Sequence, residues 1–195
     1  MFNERGIEYV GLRELAGILG MRVSNITYYF PTKDDLVYEI AMLLREANSK
    51  VMVVNEKITM GGFLHMTQGV FENHVNFRCL LLSFVHVIER NPIIAASYKK
   101  TQNIRNATIE ANINALATNG FLNLKEAEDC DFLVSSIALI SRFWISEAVV
   151  SFRNHSTEEQ MKHYLHLIAR LLIPYSSAKG KKEIQKFLQA LPQVS

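Results

Sequence analysis

The segment "LRELAGILGMRVSNITYYFPTKDDL", residues 12–36, decides the fold of the first part of the chain. The apolar residues that follow Leu12 recur at the three- and four-residue spacing of one helical face. Gly20 is typical of the residue that ends a helix, because glycine adopts the left-handed conformation at little cost. A second short helix is predicted to begin with Ser24 as its N-cap and to run to about Phe30.

The second helix is polar and aromatic on one side and apolar on the other. Ile26 and Phe30 are four residues apart and are expected to face the core. Pro31 ends this helix, and Thr32 is a good N-cap for a third helix that the apolar spacing extends to about Asn55. Two short helices joined by a glycine turn indicate a helix-turn-helix.

The rest of the chain is longer and more apolar, and it shows no sustained strand-like alternation. Six further helices are expected at about 60–77, 78–90, 93–118, 125–152, 157–173 and 181–191. The predicted fold is therefore all-α, with a helix-turn-helix module over residues 1–50. A larger helical domain is predicted over residues 51–195.

Composition is ordinary for a soluble globular protein, with 49% apolar and 21% charged residues. The net charge of +2 does not by itself indicate a nucleic-acid-binding protein. Because the polar run Asn3-Glu4-Arg5 follows directly after Met1 and Phe2, we expect no signal peptide and a cytoplasmic location. The most apolar segment, residues 132–152, contains Arg142 and Glu147, so a buried helix is predicted there rather than a membrane span.

Residues 2–36 resemble the DNA-binding module of the TetR family of bacterial transcriptional regulators. The matching positions are Phe2 and Gly6 at the end of the first family helix, Leu15 and Ala16 in the second, Gly20 in the turn, Phe30 after the aromatic run, and Lys33 followed by Leu36. The match begins at the last turn of the family's first helix, so most of that helix is expected to be missing. Val10-Gly11 stands where the family usually has a threonine or serine.

The resemblance implies that the second helix of the motif enters the major groove of a double-stranded operator. The residues expected to contact DNA are Arg13, Arg22, Val23, Ser24, Asn25, Thr27, Tyr28, Tyr29 and Lys33. The short polar side chains of Ser24, Asn25 and Thr27 suit base edges. The tyrosine hydroxyls and the lysine ammonium suit phosphates.

For the larger domain the resemblance implies a homodimer that holds a small-molecule effector. The apolar stripes of the two helices after residue 130 predict the interface residues Phe132, Ile140, Phe143, Leu165, Ile168 and Leu172. Polar groups within apolar helices, with aromatic walls, predict the pocket residues Phe63, His65, Gln68, Phe84, His86, Asn103, Arg142 and Trp144. The chemistry of the effector is left open.

Catalysis and metal binding find little support in the sequence. No nucleophile elbow, phosphate loop or paired-carboxylate arrangement is visible, so no enzyme activity and no cofactor are expected. His163 and His166 are three residues apart on one helical face, but a metal site needs further ligands at tetrahedral geometry. A solvated or interface face is the preferred interpretation of these histidines, and no metal is expected.

The sequence thus favours a ligand-responsive, homodimeric regulator, expected to be a repressor that an effector releases from a palindromic operator. The alternative is a helical dimeric small-molecule-binding or scaffold protein whose DNA-binding module is non-functional. Two features motivate that alternative, the missing first helix and the local charge. Residues 1–50 carry six basic and seven acidic side chains, a local net charge of −1.

Overall fold

The computed structural model describes residues 1–191, which form eleven α-helices and no β-strand. In chain order the helices are α1 (Phe2–Arg5), α2 (Leu12–Ile18), α3 (Val23–Tyr29), α4 (Lys33–Val51), α5 (Met60–Asn76), α6 (Arg78–Leu82), α7 (Phe84–Arg90), α8 (Pro92–Thr118), α9 (Asp129–Ser151), α10 (Thr157–Leu172) and α11 (Ala178–Ala190). A 3₁₀ turn, Ile173–Tyr175, precedes α11. The predicted all-α class is confirmed.

The turn between α2 and α3 is the glycine turn that the sequence predicts. Gly20 has a φ of +64°, the left-handed conformation in which L-residues are strained. The Gly20 N–H donates to Gly17 O and the Met21 N–H donates to Ala16 O, the hydrogen bonds of a Schellman motif. The glycine therefore ends α2 and turns the chain into α3.

The start of α3 differs from the prediction. The helix begins at Val23, and the extended residue before it, Arg22, occupies the N-cap position without a side-chain hydrogen bond. The predicted cap, Ser24, lies inside the first turn and is exposed. The chain enters the helix earlier than the serine signal indicates, so the serine hydroxyl is available to an outside partner.

Helix α4 begins as predicted and ends earlier than predicted. The Thr32 hydroxyl accepts a hydrogen bond from the Asp35 N–H, and the Thr32 N–H donates to the Asp35 carboxylate, which completes a capping box. The helix ends at Val51 rather than near Asn55, because the fully buried Asn112 of α8 holds the following loop. The Asn55 N–H donates to Asn112 Oδ1 at 3.1 Å, and Asn112 Nδ2 donates to Val53 O at 2.9 Å.

The segment predicted as one helix over 78–90 divides at Ser83 into α6 and α7. Ser83 is buried, and its hydroxyl donates to Glu8 Oε2 at 2.8 Å. The helix is interrupted at this one residue, whose side chain is hydrogen-bonded to Glu8 from the N-terminal segment. The two short helices therefore meet at a contact with the N-terminal segment.

The larger unit is built around α9, which packs against α5, α6, α8 and α10. Its core contains Trp144, whose ring stacks on Phe71 of α5 with 4.9 Å between ring centroids. α9 is the one described helix that is long and apolar enough to cross a membrane. Its packing against four neighbouring helices is typical of the core helix of a soluble protein, as the sequence predicts.

Helix α4 connects the helix-turn-helix to this larger unit. Its first turn follows α3 directly, and its last turn packs on α5. A Cβ at Gly69 of α5 would lie 2.8 Å from Val51 Cγ1, so only glycine allows the two helices to approach this closely. The predicted domain boundary near residue 50 therefore falls where α4 is already packed on the larger unit.

Candidate DNA interface and internal cavity

The buried side of the helix-turn-helix is small. Ala16 of α2 and Ile26 of α3 are the buried residues of their helices. Val10 in the loop before α2 is fully buried as well. The opposite side of α3 is therefore presented to solvent, held in place by few apolar contacts.

The exposed face of α3 carries polar and aromatic groups and no carboxylate. Ser24 and Asn25 are exposed at its N-terminal end. Tyr28 and Tyr29 are 79% and 73% exposed, and their rings contact each other edge to face at 4.9 Å. Rings of this size are seldom left in water without a partner. The face therefore offers short hydrogen-bonding groups beside two phenol hydroxyls.

Four further residues that are predicted to contact DNA differ in how far their side chains are exposed. Arg13 and Arg22 are exposed on either side of the turn. Val23 is half-buried, and the Thr27 hydroxyl donates back to Val23 O at 3.3 Å. Thr27 thus presents mainly its methyl group and an oxygen acceptor to an outside partner.

Lys33 occupies a position that the sequence does not reveal. Its ammonium donates to Ile7 O at 2.7 Å, to Val10 O at 3.3 Å and to Glu8 O at 3.4 Å. An ammonium group has three donors, so these three carbonyls occupy all of them. The side chain ties the start of α4 to the loop before α2 and is only partly exposed. Its role in the described structure is to hold the module together.

Polar contacts attach the N-terminal segment to the larger unit. Asn3 Nδ2 donates to Asn76 O at 2.7 Å, and the Cys79 N–H donates to Asn3 Oδ1 at 2.9 Å. Glu8 accepts the hydrogen bond from Ser83. Desolvation opposes ionisation of Glu8, but hydrogen bonds from its own N–H and from Ser83 outweigh it and lower its pKa. The carboxylate is therefore charged at neutral pH and anchors the module to the α6–α7 junction.

A cavity of about 550 Å³ lies in the larger unit between the second half of α4 and helices α5 to α9. Its wall is mainly apolar and includes Leu80, Leu81, Phe84, Val87, Ile88, Ile94, Ile104 and Ile109. Met42, Asn48 and Met52 complete the wall on the side of the DNA-binding module. The size is that of a site for one small organic molecule.

His74 of α5 joins the cavity wall to the core. Burial, together with the positive charge of Arg105, lowers its pKa to about 3. Trp144 Nε1 donates to His74 Nδ1 at 3.2 Å. Because the indole can only donate, Nδ1 of His74 is the acceptor, and the neutral imidazole carries its proton on Nε2. Nε2 lies 3.4 Å from the side-chain amide nitrogen of Asn48 in α4. A neutral histidine therefore joins α5 to α9 along one side of the cavity.

Two of the eight predicted pocket residues, Phe84 and Arg142, line the cavity, and the other six do not. Phe63 and Trp144 are buried in the core behind it, and Asn103 and His65 are exposed. The remaining two lie outside the cavity wall: Gln68, which donates to Glu72, and the half-buried His86.

Four polar cavity residues that sequence reasoning missed lie on one helix, α8. Tyr98, Thr101, Arg105 and Thr108 all line the cavity. They follow one another at three-, four- and three-residue spacing, which places them on one helical face. A polar stripe along a long helix was the available signal.

The predicted interface residues also separate. Phe132 is 50% exposed, while Ile140 and Phe143 of α9 are half-buried. Leu165, Ile168 and Leu172 of α10 are fully buried within this chain, so they have no surface to offer a partner. The prediction that these three α10 residues form an interface is therefore wrong. Helical periodicity shows that a face is apolar but not whether the same chain or a partner chain covers it.

Within residues 1–191, no group of three or more His, Cys, Asp or Glu side chains is placed to hold a metal ion.

Comparison with known proteins gives a family and a fold. The family model described as "TetR: Bacterial transcriptional repressor" matches residues 39–184, from within α4 to within α11. This match covers the larger unit, whereas the sequence resemblance of residues 2–36 lies before it. No curated protein sequence matches significantly.

The solved structures that resemble the chain include two TetR-family regulators. A TetR-family transcriptional regulator from Marinobacter aquaeolei VT8 superposes with a TM-score of 0.88 at 17% identity, over 98% of this chain and 93% of that one. The TetR-family regulator PfmR from Thermus thermophilus superposes with a TM-score of 0.59 at 19% identity, over 87% of this chain and 92% of that one. At these identities the likeness concerns the fold.

Proposed function

Since the chain belongs to the TetR family of transcriptional regulators, we propose that it is a homodimeric repressor that a small-molecule effector releases from a palindromic DNA operator. The observation that carries the proposal is the exposed, carboxylate-free face of α3 with its two adjacent tyrosines. α3 packs on α2 and is followed in the chain by α4, whose second half lines the cavity. The proposed location is the cytoplasm of a bacterium.

In the proposed complex α3 lies in the major groove. Ser24 and Asn25 contact base edges, since the side-chain amide can bond adenine at two atoms. Arg13, Arg22 and the tyrosine hydroxyls contact phosphates or a guanine edge. Lys33 contributes by positioning the module, because its ammonium is bonded to three backbone carbonyls.

The proposed dimer interface uses the outer face of α9 with neighbouring residues of α10. Phe132, Leu139 and Val150 are 50%, 58% and 81% exposed and are spaced along one side of α9. Leu167 of α10 is also exposed. A two-fold axis through this apolar surface would give the two α3 helices the symmetry of a palindromic operator, with half-sites about one DNA turn apart.

Release by an effector is proposed to act through α4. The cavity contacts the second half of α4, and the first turn of the same helix holds Lys33 and the capping box. A ligand that changes the position of α4 would change the separation of the two α3 helices. A coupling of about 1–3 kcal/mol is sufficient for regulation.

The test begins with selection of binding sites from a random double-stranded DNA library. We expect a palindromic sequence to be enriched and to bind with an affinity that falls as salt rises. Asn25→Ala should lose about 1–3 kcal/mol of preference for the selected sequence over a mutated one, measured by fluorescence anisotropy. Tyr9→Phe, a change at an exposed tyrosine outside the motif, is the matched control. Absence of any enriched sequence, or unchanged preference in Asn25→Ala, would refute the proposal.

A second candidate function is a dimeric small-molecule-binding or scaffold protein whose DNA-binding module is inactive. It is favoured by the local net charge of −1 over residues 1–50 and by the engagement of Lys33 with the protein's own backbone. It predicts a dimer whose cavity binds ligand but whose affinity for every DNA sequence is weak and equal. The same selection experiment separates the two candidates.

A further inference from the structure

Of the three arginines in the cavity wall, Arg105 and Arg142 have buried nitrogens with no hydrogen-bond partner in residues 1–191. These nitrogens are Nε and Nη2 of Arg105 and Nε of Arg142. Arg105 Nη1 makes one contact, to the Tyr98 hydroxyl at 3.4 Å. A buried donor left without an acceptor costs free energy, and more so when it carries charge. Such donors therefore point to an acceptor that the chain does not itself supply.

The two guanidinium groups lie in the same part of the wall. Their central carbons are 5.9 Å (Arg105) and 5.7 Å (Arg142) from the centre of the Tyr98 ring. They come from different helices, α8 and α9, which pack against each other. Tyr98 thus marks a region of the cavity wall that both guanidinium groups border.

No acidic side chain of the described residues neutralises these charges. The one carboxylate in the cavity wall is that of Glu46, which is largely exposed and forms an ion pair with Lys50 at 2.7 Å. His74 stays neutral because burial and the nearby Arg105 lower its pKa to about 3. The polar end of the cavity therefore carries net positive charge at neutral pH.

Most of the remaining cavity wall is apolar. It is lined by leucine, isoleucine, valine, methionine and phenylalanine side chains from α4, α6, α7 and α8. Apolar contact area of this kind suits a hydrocarbon body rather than a sugar or a nucleotide. The wall thus combines two positively charged guanidinium groups with an apolar surface.

We propose that this cavity binds an amphipathic anion, whose carboxylate or phosphate head lies on Arg105 and Arg142 and whose apolar body lies along α6 and α7. A planar guanidinium matches either oxyanion through two parallel N–H···O bonds. The inference rests on the proposed function for its regulatory meaning. The binding itself is testable without DNA.

The first experiment compares head groups on a ten-carbon tail and also varies the tail length of the carboxylate. Hexanoate, decanoate, hexadecanoate and decyl phosphate are added below their aggregation concentrations, with decanol and decyltrimethylammonium as matched neutral and cationic probes. Binding is measured by the shift in Tm and by the fluorescence of Trp144, the single tryptophan, which is bonded to His74 of the cavity wall. We expect at least one carboxylate or decyl phosphate to bind at least tenfold more tightly than decanol, and decyltrimethylammonium not to bind. The affinities for decanoate and decyl phosphate, compared with each other, show whether the cavity prefers a carboxylate or a phosphate head group.

The second experiment uses Arg105→Met and Arg142→Met, with the exposed Arg153→Met as the control. Each cavity variant should bind the preferred anion at least tenfold more weakly and bind decanol as the wild type does. The Tm of the ligand-free cavity variants should equal or exceed that of the wild type, because an unpartnered buried charge has been removed. Arg153→Met should match the wild type in every measurement.

The outcomes separate this inference from the proposed function. Equal binding of decanol and the anions, no binding of any anion, or unchanged anion affinity in both arginine variants would overturn the inference, whether or not the protein binds DNA. Arginine-dependent anion binding by a protein that selects no DNA sequence would support the inference and refute the proposed repressor. Release of the selected DNA by the preferred anion, and retention of that DNA by Arg105→Met, would support both.

Discussion

The helix-turn-helix and the larger helical unit are stabilised by different kinds of interaction. Helices α2 and α3 bury one residue each, Ala16 and Ile26, whereas α5 buries seven residues and α9 buries eight. The small module compensates with polar contacts, namely the Lys33 ammonium and the Thr32 capping box. A surface that must be offered to a partner cannot also be buried, so a DNA-reading module keeps little apolar core.

The larger unit shows the opposite arrangement. Its stability comes from aromatic and aliphatic packing around α9, and its polar groups gather around one cavity. We expect core truncation to be most harmful here and loss of a single hydrogen bond to be most harmful in the module.

The largest effect is expected for Phe63→Ala in α5. Phe63 is fully buried, and removing its ring should lower the free energy of unfolding by about 3–5 kcal/mol, measured by urea denaturation. Tyr9→Ala, at a ring that is 78% exposed and lies outside the proposed dimer interface, is the control and should cost much less. Similar losses in the two variants would break the comparison between a packed core and an open surface.

The second prediction concerns acid. The folded-state pKa of His74 is about 3, below its unfolded value of about 6.5, so the unfolded chain binds more protons between these values. Stability is therefore full above pH 6.5 and falls as the pH drops toward 3. Between about pH 6.5 and about pH 4.5 we expect a loss of about 2–3 kcal/mol, measured as the change in the free energy of unfolding.

Two controls isolate this histidine. His74→Gln should flatten the pH dependence in that window, and the exposed His65→Gln should not. The lowered carboxylate pKa values of Glu8 and Glu159 act at lower pH, below the usual value of 4.5. A pH dependence that persists in His74→Gln would contradict the assignment; the lowered pKa of His166 would then be the next group to test.

The third prediction addresses the module. Lys33→Met keeps the aliphatic stem but leaves the carbonyls of Ile7, Glu8 and Val10 without their donor, at a cost of about 1–3 kcal/mol. Amide hydrogen exchange should accelerate in α2 and α3 and remain unchanged in α9. Lys50→Met, at an exposed surface ion pair, should change neither. Uniform acceleration across both units would show that the module has no separate stability.

The smallest effect is expected at the start of α4. Thr32→Ala removes the acceptor for the Asp35 N–H and should cost about 1 kcal/mol, seen as faster exchange in the first turn of α4. Thr32→Ser keeps the hydroxyl and should behave nearly as the wild type does. Loss of stability in both variants would assign the effect to the methyl group rather than to the cap.

Much of the local structure could be predicted from sequence because its causes are local. Gly20, Pro31 and the Thr32 cap act within a few residues, so the two turns of the helix-turn-helix are readable from the chain. The start of α3 at Val23 was mispredicted for the same reason, since a serine at the next position gives an equally strong local signal. Where two local signals are equally strong, the packing of the turn determines the residue at which the helix begins.

The sequence by itself determined that the chain is helical and where most helices begin and end. It also determined that one short helix carries polar and aromatic side chains suited to binding a partner. Only the tertiary structure decided that Lys33 bonds carbonyls about 25 residues away. The same holds for the burial of Leu165 and Leu172 of α10 within this chain and for the approach of Arg105 and Arg142 to one tyrosine ring. Helical periodicity states which face of a helix is apolar or charged. Which neighbour covers that face depends on how distant helices pack, and that information is spread over the whole chain.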